Sequence, residues 1–302
     1  MAIQKEIWLG SVVSHLFADN SFMSKAFNAN EYVSQGRTVH IPNAGAASKV
    51  VKGRSSLPAT VKKRVDSVLS FNLEEFTTDP VLIPHADTVE LSYDKRESVL
   101  RGDKLALYDA VAKDFVLQWS PSAASQIIKT TGAAIVAHTP SGTGSRKAFT
   151  KADVNAAMVK FNTQDIPQEG RYMLVDANMY AQLMESLTDR DAMAFHAQAD
   201  VANGILGKLY SFNFYMRSTA GVYATDGTPK LYGTMPTGTD NAAAIAWHDQ
   251  SVCRALGEVK AFEDEGNPSY YGDVYSFLVR AGGRPMRADE KGLLAIVQAA
   301  TA

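Results

Sequence analysis

Between Tyr93 and Trp119 the chain carries one unbroken helical pattern, and a helix of that length constrains the other segments more than any single residue does. Leu100, Leu107, Val111 and Phe115 recur at steps of seven and four, which puts them on one stripe of a 3.6-residue period, while Arg101, Lys104 and Lys113 fall off it. Gly102 weakens the pattern by about 1 kcal/mol against alanine. From Arg96 to Trp119 the helix spans roughly 36 Å, about a small domain's width. It is a spine, preceded by a short amphipathic segment and a basic hairpin. A mixed α/β region and two strand-rich segments follow it.

With 302 residues the chain can bury a full core as one large domain or two. Hydrophobic residues make up 46% and charged residues 21%, with a net charge of −2, which predicts a folded chain and neither strong nucleic-acid binding nor a solvating tail. Near-balanced charge gives little colloidal repulsion, which suits a protein that associates, although many enzymes share it. Cys253 stands alone, so an intrachain disulfide and a multi-cysteine metal site are excluded, and a reducing cytoplasm is the expected compartment. Neither a signal peptide nor a membrane span is expected.

Residues Ile7 to Phe27 pattern as one or two amphipathic turns, with Trp8, Val12, Leu16 and Phe17 in register, then Phe22, Met23 and Phe27. This segment either docks on its own core or reaches onto a neighbouring subunit. Gly36 to Gly45 reads as a strand, followed by a hairpin-like excursion. Lys49, Lys52, Arg54, Lys62, Lys63 and Arg64 give it six cations before the first acid, Asp66, and from Val65 the chain alternates as a returning strand. The excursion is either a solvated loop or an arm lying on an acidic neighbour, for which Glu258, Glu263, Asp264 and Glu265 offer a surface.

Phe76 to His85, with Pro80 and Pro84, reads as an irregular link. After the spine, Ala123 to Lys129 reads as a short helix and Ala133 to Ala137 as a buried strand. Thr150 and Asp153 cap a helix bearing Val154, Ala157, Met158 and Phe161. Arg171 to Asp176 is a buried strand, and Asp176 caps a helix with Tyr180, Leu183, Met184 and Leu187. Strands are expected in Gly204 to Arg217, Leu231 to Asp240, Ala242 to His248, Ser251 to Phe262 and Tyr270 to Ala281, before an apolar tail at Gly292 to Ala299.

Evidence of catalysis is close to nil. The loop Ser141 to Lys147 follows an apolar strand and holds two glycines and two cations, but Gly144 is followed by Ser145 and Arg146, so a phosphate-binding spacing fails. His15, His40, His85, His138, His196 and His248 lack a second ligand at helical spacing. His248 and Asp249, as neighbours on a strand, would face apart. Cys253 reads as a packed small residue. The expected catalytic, cofactor and metal residues are therefore none.

The order of segments, with IPQEGRYMLVDANMYAQLMES and the glycine-led GILGKLYSFNFYMRS, resembles the major capsid proteins of tailed bacteriophages, the Hong Kong 97-type α+β fold. Pro167 to Arg171 with the strand and Tyr180-bearing helix that follow, and Gly204 to Ser218, carry it most specifically. The resemblance implies an N-terminal arm (1–45), an E-loop (46–75), a peripheral domain (76–125 and 245–302) containing the spine, and an axial domain (126–244). Pentamers and hexamers would close an icosahedral shell around double-stranded DNA, each E-loop resting on an adjacent subunit. Intersubunit contacts would then involve Trp8, Leu16, Phe17 and Phe22, the six cations of the excursion and the four acids named above. Axial loops at Pro140 to Lys147 or Met235 to Asp240 would meet around the symmetry axes. Expected partners are other copies, a portal, a separate scaffolding protein and DNA held weakly and without sequence preference, and the expected location is the virion, assembled in the host cytoplasm. An encapsulin-like compartment and a soluble α/β enzyme whose site meets only in space are the competing readings.

Overall fold

The computed structural model describes residues 20–43, 50–55, 58, 61, 63, 67–84, 95–231 and 233–301. A 3-10 turn at Ser21–Ser24 leads into two short strands, β1 (Phe27–Asn28) and β2 (Val33–Ser34). Next come β3 (Thr38–Asn43), β4 (Ser67–Asn72), β5 (Glu74–Thr77) and β6 (Val81–Pro84). The spine is α1 (Lys95–Gln118), followed by β7 (Ile127–Lys129), β8 (Ala134–Val136) and β9 (Ser145–Lys147). Then follow α2 (Lys151–Thr163), β10 (Arg171–Asp176), α3 (Ala177–Ser186) and α4 (Asp189–His196). The remaining strands are β11 (Gly207–Leu209), β12 (Phe212–Arg217), β13 (Gly221–Tyr223), β14 (Asn241–His248), β15 (Val252–Asn267), β16 (Gly272–Pro285) and β17 (Leu293–Val297).

The apolar stripe of α1 is buried as its period requires: Leu107, Val111, Phe115 and Trp119 step by four residues, with Tyr108, Ala112 and Val116 beside them. Each large side chain so removed from water contributes roughly 1.5–3 kcal/mol. Trp119 keeps its indole nitrogen satisfied by donating to the Cys253 carbonyl at 3.1 Å. Under this end of the spine Gly283 has no room for a Cβ, which would lie 2.7 Å from the Trp119 nitrogen and 2.8 Å from the Cys253 carbonyl oxygen.

A seven-stranded sheet runs in the order β11-β12-β10-β14-β17-β7, with β13 on β14. Its two faces follow strict alternation. Leu174, Ala243, Ile245, Trp247, Leu293, Ala295 and Val297 join the core beneath α1. Met173, Val175, Ala242, Ala244, Ala246, Leu294 and Ile296 face the core that holds Val154 and Phe161 of α2 and Met179 and Leu183 of α3. Covered on both faces, β14 is buried at all eight positions. A second sheet, β1-β15-β16-β5 with β6 also on β16, is built on the long β15–β16 hairpin. The strands β2-β3-β4 form a third sheet, whose Val39 and Ile41 pack with Cys253 and Ala255.

Several expectations are corrected. Residues 123–129 form a one-turn 3-10 helix and the edge strand β7, and not an α-helix. The Phe76 to His85 link contains β5's end and β6, which pair with β16; Pro80 falls between the two strands and Pro84 is the last residue of β6, so neither interrupts a strand interior. Strand β8 is largely exposed instead of buried, as it pairs only with β9. The described residues of 231–240 hold no strand, only turns and irregular backbone. The tail at Gly292 to Ala299 contains a central strand, β17, flanked by β14 and β7 and buried at all five positions. The boundary placed between residues 244 and 245 falls inside β14.

Candidate assembly surfaces

No group of three or more His, Cys, Asp or Glu among the described residues could hold a metal, and no described helix is long and apolar enough to cross a membrane. Burial pushes the Cys253 thiol up to about 11, so it is unreactive at neutral pH. His248 and Asp249 do meet, Nδ1 to Oδ1 at 3.1 Å, because β14 ends at His248 and Asp249 has entered the turn, where strand alternation no longer holds.

Arg146, one of the cations in the glycine-containing loop, reaches no ligand space. It is buried and donates to the carbonyls of Thr143 and Ser145 at 3.1 Å, of Gly238 at 3.2 Å and of Asp240 at 3.3 Å. Thr143 adds a backbone bond to the Gly238 carbonyl at 2.9 Å. The loops at 140–147 and 235–240, anticipated as alternatives, are thus bonded into one tip. Asp240 is buried within it; against the desolvation that opposes it, bonds from Thr237 and Lys230 hold its carboxyl below the usual range.

Arg171, within the most specific part of the resemblance, is wholly buried. Its guanidinium donates to the carbonyls of Pro167 and Ile166, to Asn162 and to Ser211, and stacks over Phe161 at 5.4 Å. It ties α2, the 166–170 turn, β10 and the turn before β12 together. The sequence signal was an arginine opening an otherwise apolar strand.

Of the expected contact residues, Trp8, Leu16, Phe17, Lys49, Lys62 and Arg64 lie outside the described residues. Phe22, expected at a neighbour, is 2% exposed and packed edge-on against Trp119 and Trp247 of its own chain, with the Arg217 guanidinium over its ring. The Trp247 nitrogen donates to the Lys25 carbonyl at 2.8 Å, which fixes this segment further. Lys52, Arg54 and Lys63 are exposed.

Glu258 is engaged within the subunit: Arg280, on the neighbouring strand, bonds it at 2.7 Å and also grips Glu75 of β5, while Lys260 pairs with it from the same strand. Lys260 chiefly, then Arg280, holds the Glu258 carboxyl below its ordinary range. Asp264 and Glu265 are exposed and Glu263 half-buried towards the far end of the β15–β16 hairpin. Phe262, Tyr270 and Tyr271 are exposed around them, Tyr271 by 82%.

No protein-family model and no curated protein matches the sequence. Solved structures do. The capsid of Ralstonia phage GP4 aligns over 92% of this chain and 88% of its own at 12% identity, with a TM-score of 0.67. The capsid of cyanophage P-SCSP1u aligns over 90% and 86% at 15% identity, with a TM-score of 0.58. A virus-like particle from Pyrococcus furiosus aligns over 97% and 99% at 9% identity, with a TM-score of 0.56. At these coverages the chain has the α+β Hong Kong 97-like capsid fold.

Proposed function

We propose that the protein is the major capsid protein of a tailed phage, assembling as pentamers and hexamers into an icosahedral shell around double-stranded DNA. The observation that carries this reading is the likeness to phage capsids over nearly the whole of both chains. The role is mechanical, with no substrate turned over. In this reading 1–45 is the arm, 46–75 the E-loop, 76–125 and 245–302 the peripheral domain and 126–244 the axial domain. The exposed cations Lys52, Arg54 and Lys63, with Lys49, Lys62 and Arg64, rest on the acidic hairpin around Glu263, Asp264 and Glu265 of an adjacent subunit. Trp8, Leu16 and Phe17 supply apolar contact to a neighbour. A portal and a scaffolding protein complete the particle, which assembles in the host cytoplasm, and DNA is touched weakly.

Sedimentation velocity and negative-stain microscopy of the protein, expressed alone and with its neighbouring genes, test this. Closed shells or rings of five and six are expected, with nucleic acid in the co-expressed particles. A stable monomer or dimer in both preparations would overturn the reading. The near-complete alignment with the Pyrococcus particle favours, as second reading, an encapsulin-like compartment; shells filled with a cargo protein and free of DNA would establish it.

A further inference from the structure

Strand β15 (Val252–Asn267) pairs with β16 along one side, but its other side is covered only near its start. There β1 pairs with Cys253 and Arg254, and the turn that follows β1 extends as far as Glu258, with the Asn30 side chain on the Leu256 amide and Gly36 against Glu258. From Val259 to Asp264 no described segment pairs with this outer edge, so alternate N–H and C=O groups are open to a further strand. Ala261 turns inward and is buried, which leaves Lys260, Phe262 and Asp264 exposed on the other face. Asp264 accepts from the Asn267 side-chain amide at 2.6 Å, a neutral donor that leaves its charge in place.

A strand suited to this edge carries a cation opposite Asp264 and, two residues away on the same face, an apolar group opposite Phe262. The excursion supplies both in Val61-Lys62-Lys63-Arg64-Val65. In extended form Val61, Lys63 and Val65 share one face, and Lys62 and Arg64 share the other. Placing Lys63 opposite Asp264 sets a valine opposite Phe262 whichever way the strand runs, and it turns Lys62 and Arg64 to the face of Glu263. Val61 is 94% exposed, and Lys63 is exposed with no ion-pair partner among the described residues.

The excursion of the same chain cannot reach this edge. Gly282 lies against Asn72 and Leu73, and Arg284 donates to the Ser70 carbonyl at 3.1 Å, so β4 runs along β16 towards Pro285 and away from the far end of the hairpin. Gly282 is paired with Ala255, and from that level Ser67 and Asp264 lie in opposite directions, roughly 40 Å apart at the strand rise of about 3.3 Å per residue. The chain from Lys63 to Ser67 spans at most about 14 Å.

We propose that residues 61–65 of one copy add as a strand to the outer edge of β15 in an adjacent copy, with Lys63 opposite Asp264. The contact rests on the capsid reading and gives its E-loop a fixed register. Main-chain hydrogen bonds hold the added strand, and a slip of one residue turns Lys63 to the wrong face.

Cysteine pairs read this register, because directly opposite residues in a sheet have Cα atoms about 4.5–5.5 Å apart, within disulfide range, and the buried Cys253 does not compete. Full-length Asp264→Cys is combined in turn with Lys62→Cys, Lys63→Cys and Arg64→Cys, sedimented under assembly conditions, oxidised mildly and run on a non-reducing denaturing gel. Each copy gives one strand and accepts one, so the Lys63→Cys pair should yield a ladder of linked subunits at least about tenfold stronger than either neighbouring pair, whose side chains point to the other face. Every single variant should stay monomeric on the gel. Equal linking at all three positions would show a loose loop contact, and assembled shells with no ladder would show that the excursion lies elsewhere; both overturn the added strand and leave the capsid reading standing. The unaltered chain gives a second readout that does not depend on the variants assembling: amide hydrogen exchange at 61–65 and 259–264 should slow on assembly, and unchanged exchange there in shells defeats the inference. If the unaltered chain forms neither rings nor shells, the capsid reading and the added strand fall together.

Discussion

Asp114 lies on the buried side of the spine, 6% exposed, with one carboxylate oxygen lacking a partner. Burial raises its pKa to about 6; a hydrogen bond from Gln118 opposes the shift and the charge of Glu74 adds to it. Because the folded-state value lies above the unfolded one, the folded chain binds the extra proton, and stability falls as pH rises from about 4 to about 6. Above that the full cost, on the order of 3 kcal/mol, persists. Asp114→Asn should therefore stabilise the subunit by about 1–2 kcal/mol at pH 7.5 and give no gain at pH 4, as read by denaturant unfolding at both values; an equal effect at the two pH values would refute the assignment. Arg171 behaves in the opposite sense. Four of its partners are neutral acceptors within the fold, so Arg171→Ala strands buried carbonyls and should cost roughly 3 kcal/mol, seen as a lower denaturant midpoint. Its position was legible in the sequence, but its role was not, since acceptors as far off as Ser211 meet it only in space. Arg146 shows the same limit: spacing in the sequence argues against a phosphate-binding loop, but the bonds to Gly238 and Asp240 that occupy the guanidinium are seen only in the fold.

At the scale of elements, segments whose burial is set by period or by caps could be read directly. The spine, the largely buried β10 and the α2 start, where the Asp153 carboxylate accepts from both the backbone and the hydroxyl of Thr150, are local patterns. Edge strands were not legible. β6 carries a terminal proline, β7 is three residues long, and both exist because a partner strand is present, information that lies some 170 residues or more away in the chain. The N-terminal segment divides in the same way. Phe22 and Met23 belong to the subunit core, so truncation must stop before them to test assembly alone. Removing residues 1–19 should leave the melting temperature within a few degrees and abolish particles. Removing 1–27 should in addition destabilise the monomer by roughly 3–5 kcal/mol, through loss of Phe22 and of the Trp247 acceptor. Calorimetry with sedimentation separates the two effects; normal shells from the shorter truncation would dismiss an assembly role for Trp8, Leu16 and Phe17.

For the whole molecule, the question is how a subunit with a net charge of −2 finds its neighbour in one register. The charges are not spread evenly: the excursion holds six cations before its first acid, and the far end of the β15–β16 hairpin concentrates Glu263, Asp264 and Glu265 beside exposed Phe262, Tyr270 and Tyr271. An exposed ion pair contributes only about 0–1 kcal/mol, too little to drive a contact, but like charges placed opposite one another repel in every copy of a shell. Reversal should therefore be more damaging than removal. Lys52→Glu, Arg54→Glu and Lys63→Glu together should raise the concentration needed for assembly at least about tenfold, whereas the three alanine substitutions should raise it only a few-fold, in line with about 1.4 kcal/mol per decade. Adding Glu263→Lys, Asp264→Lys and Glu265→Lys to the reversed chain restores opposite signs across the contact and should restore shells, as seen by light scattering and microscopy. Salt supplies the control: near 1 M the screening length is about 3 Å, so the reversed chain should recover part of its assembly there while the original chain changes little, its apolar contacts being unscreened. Reversed chains that assemble like the original at low salt would show that the excursion and the hairpin do not meet, and the acidic end of the hairpin would then face solvent or a different protein.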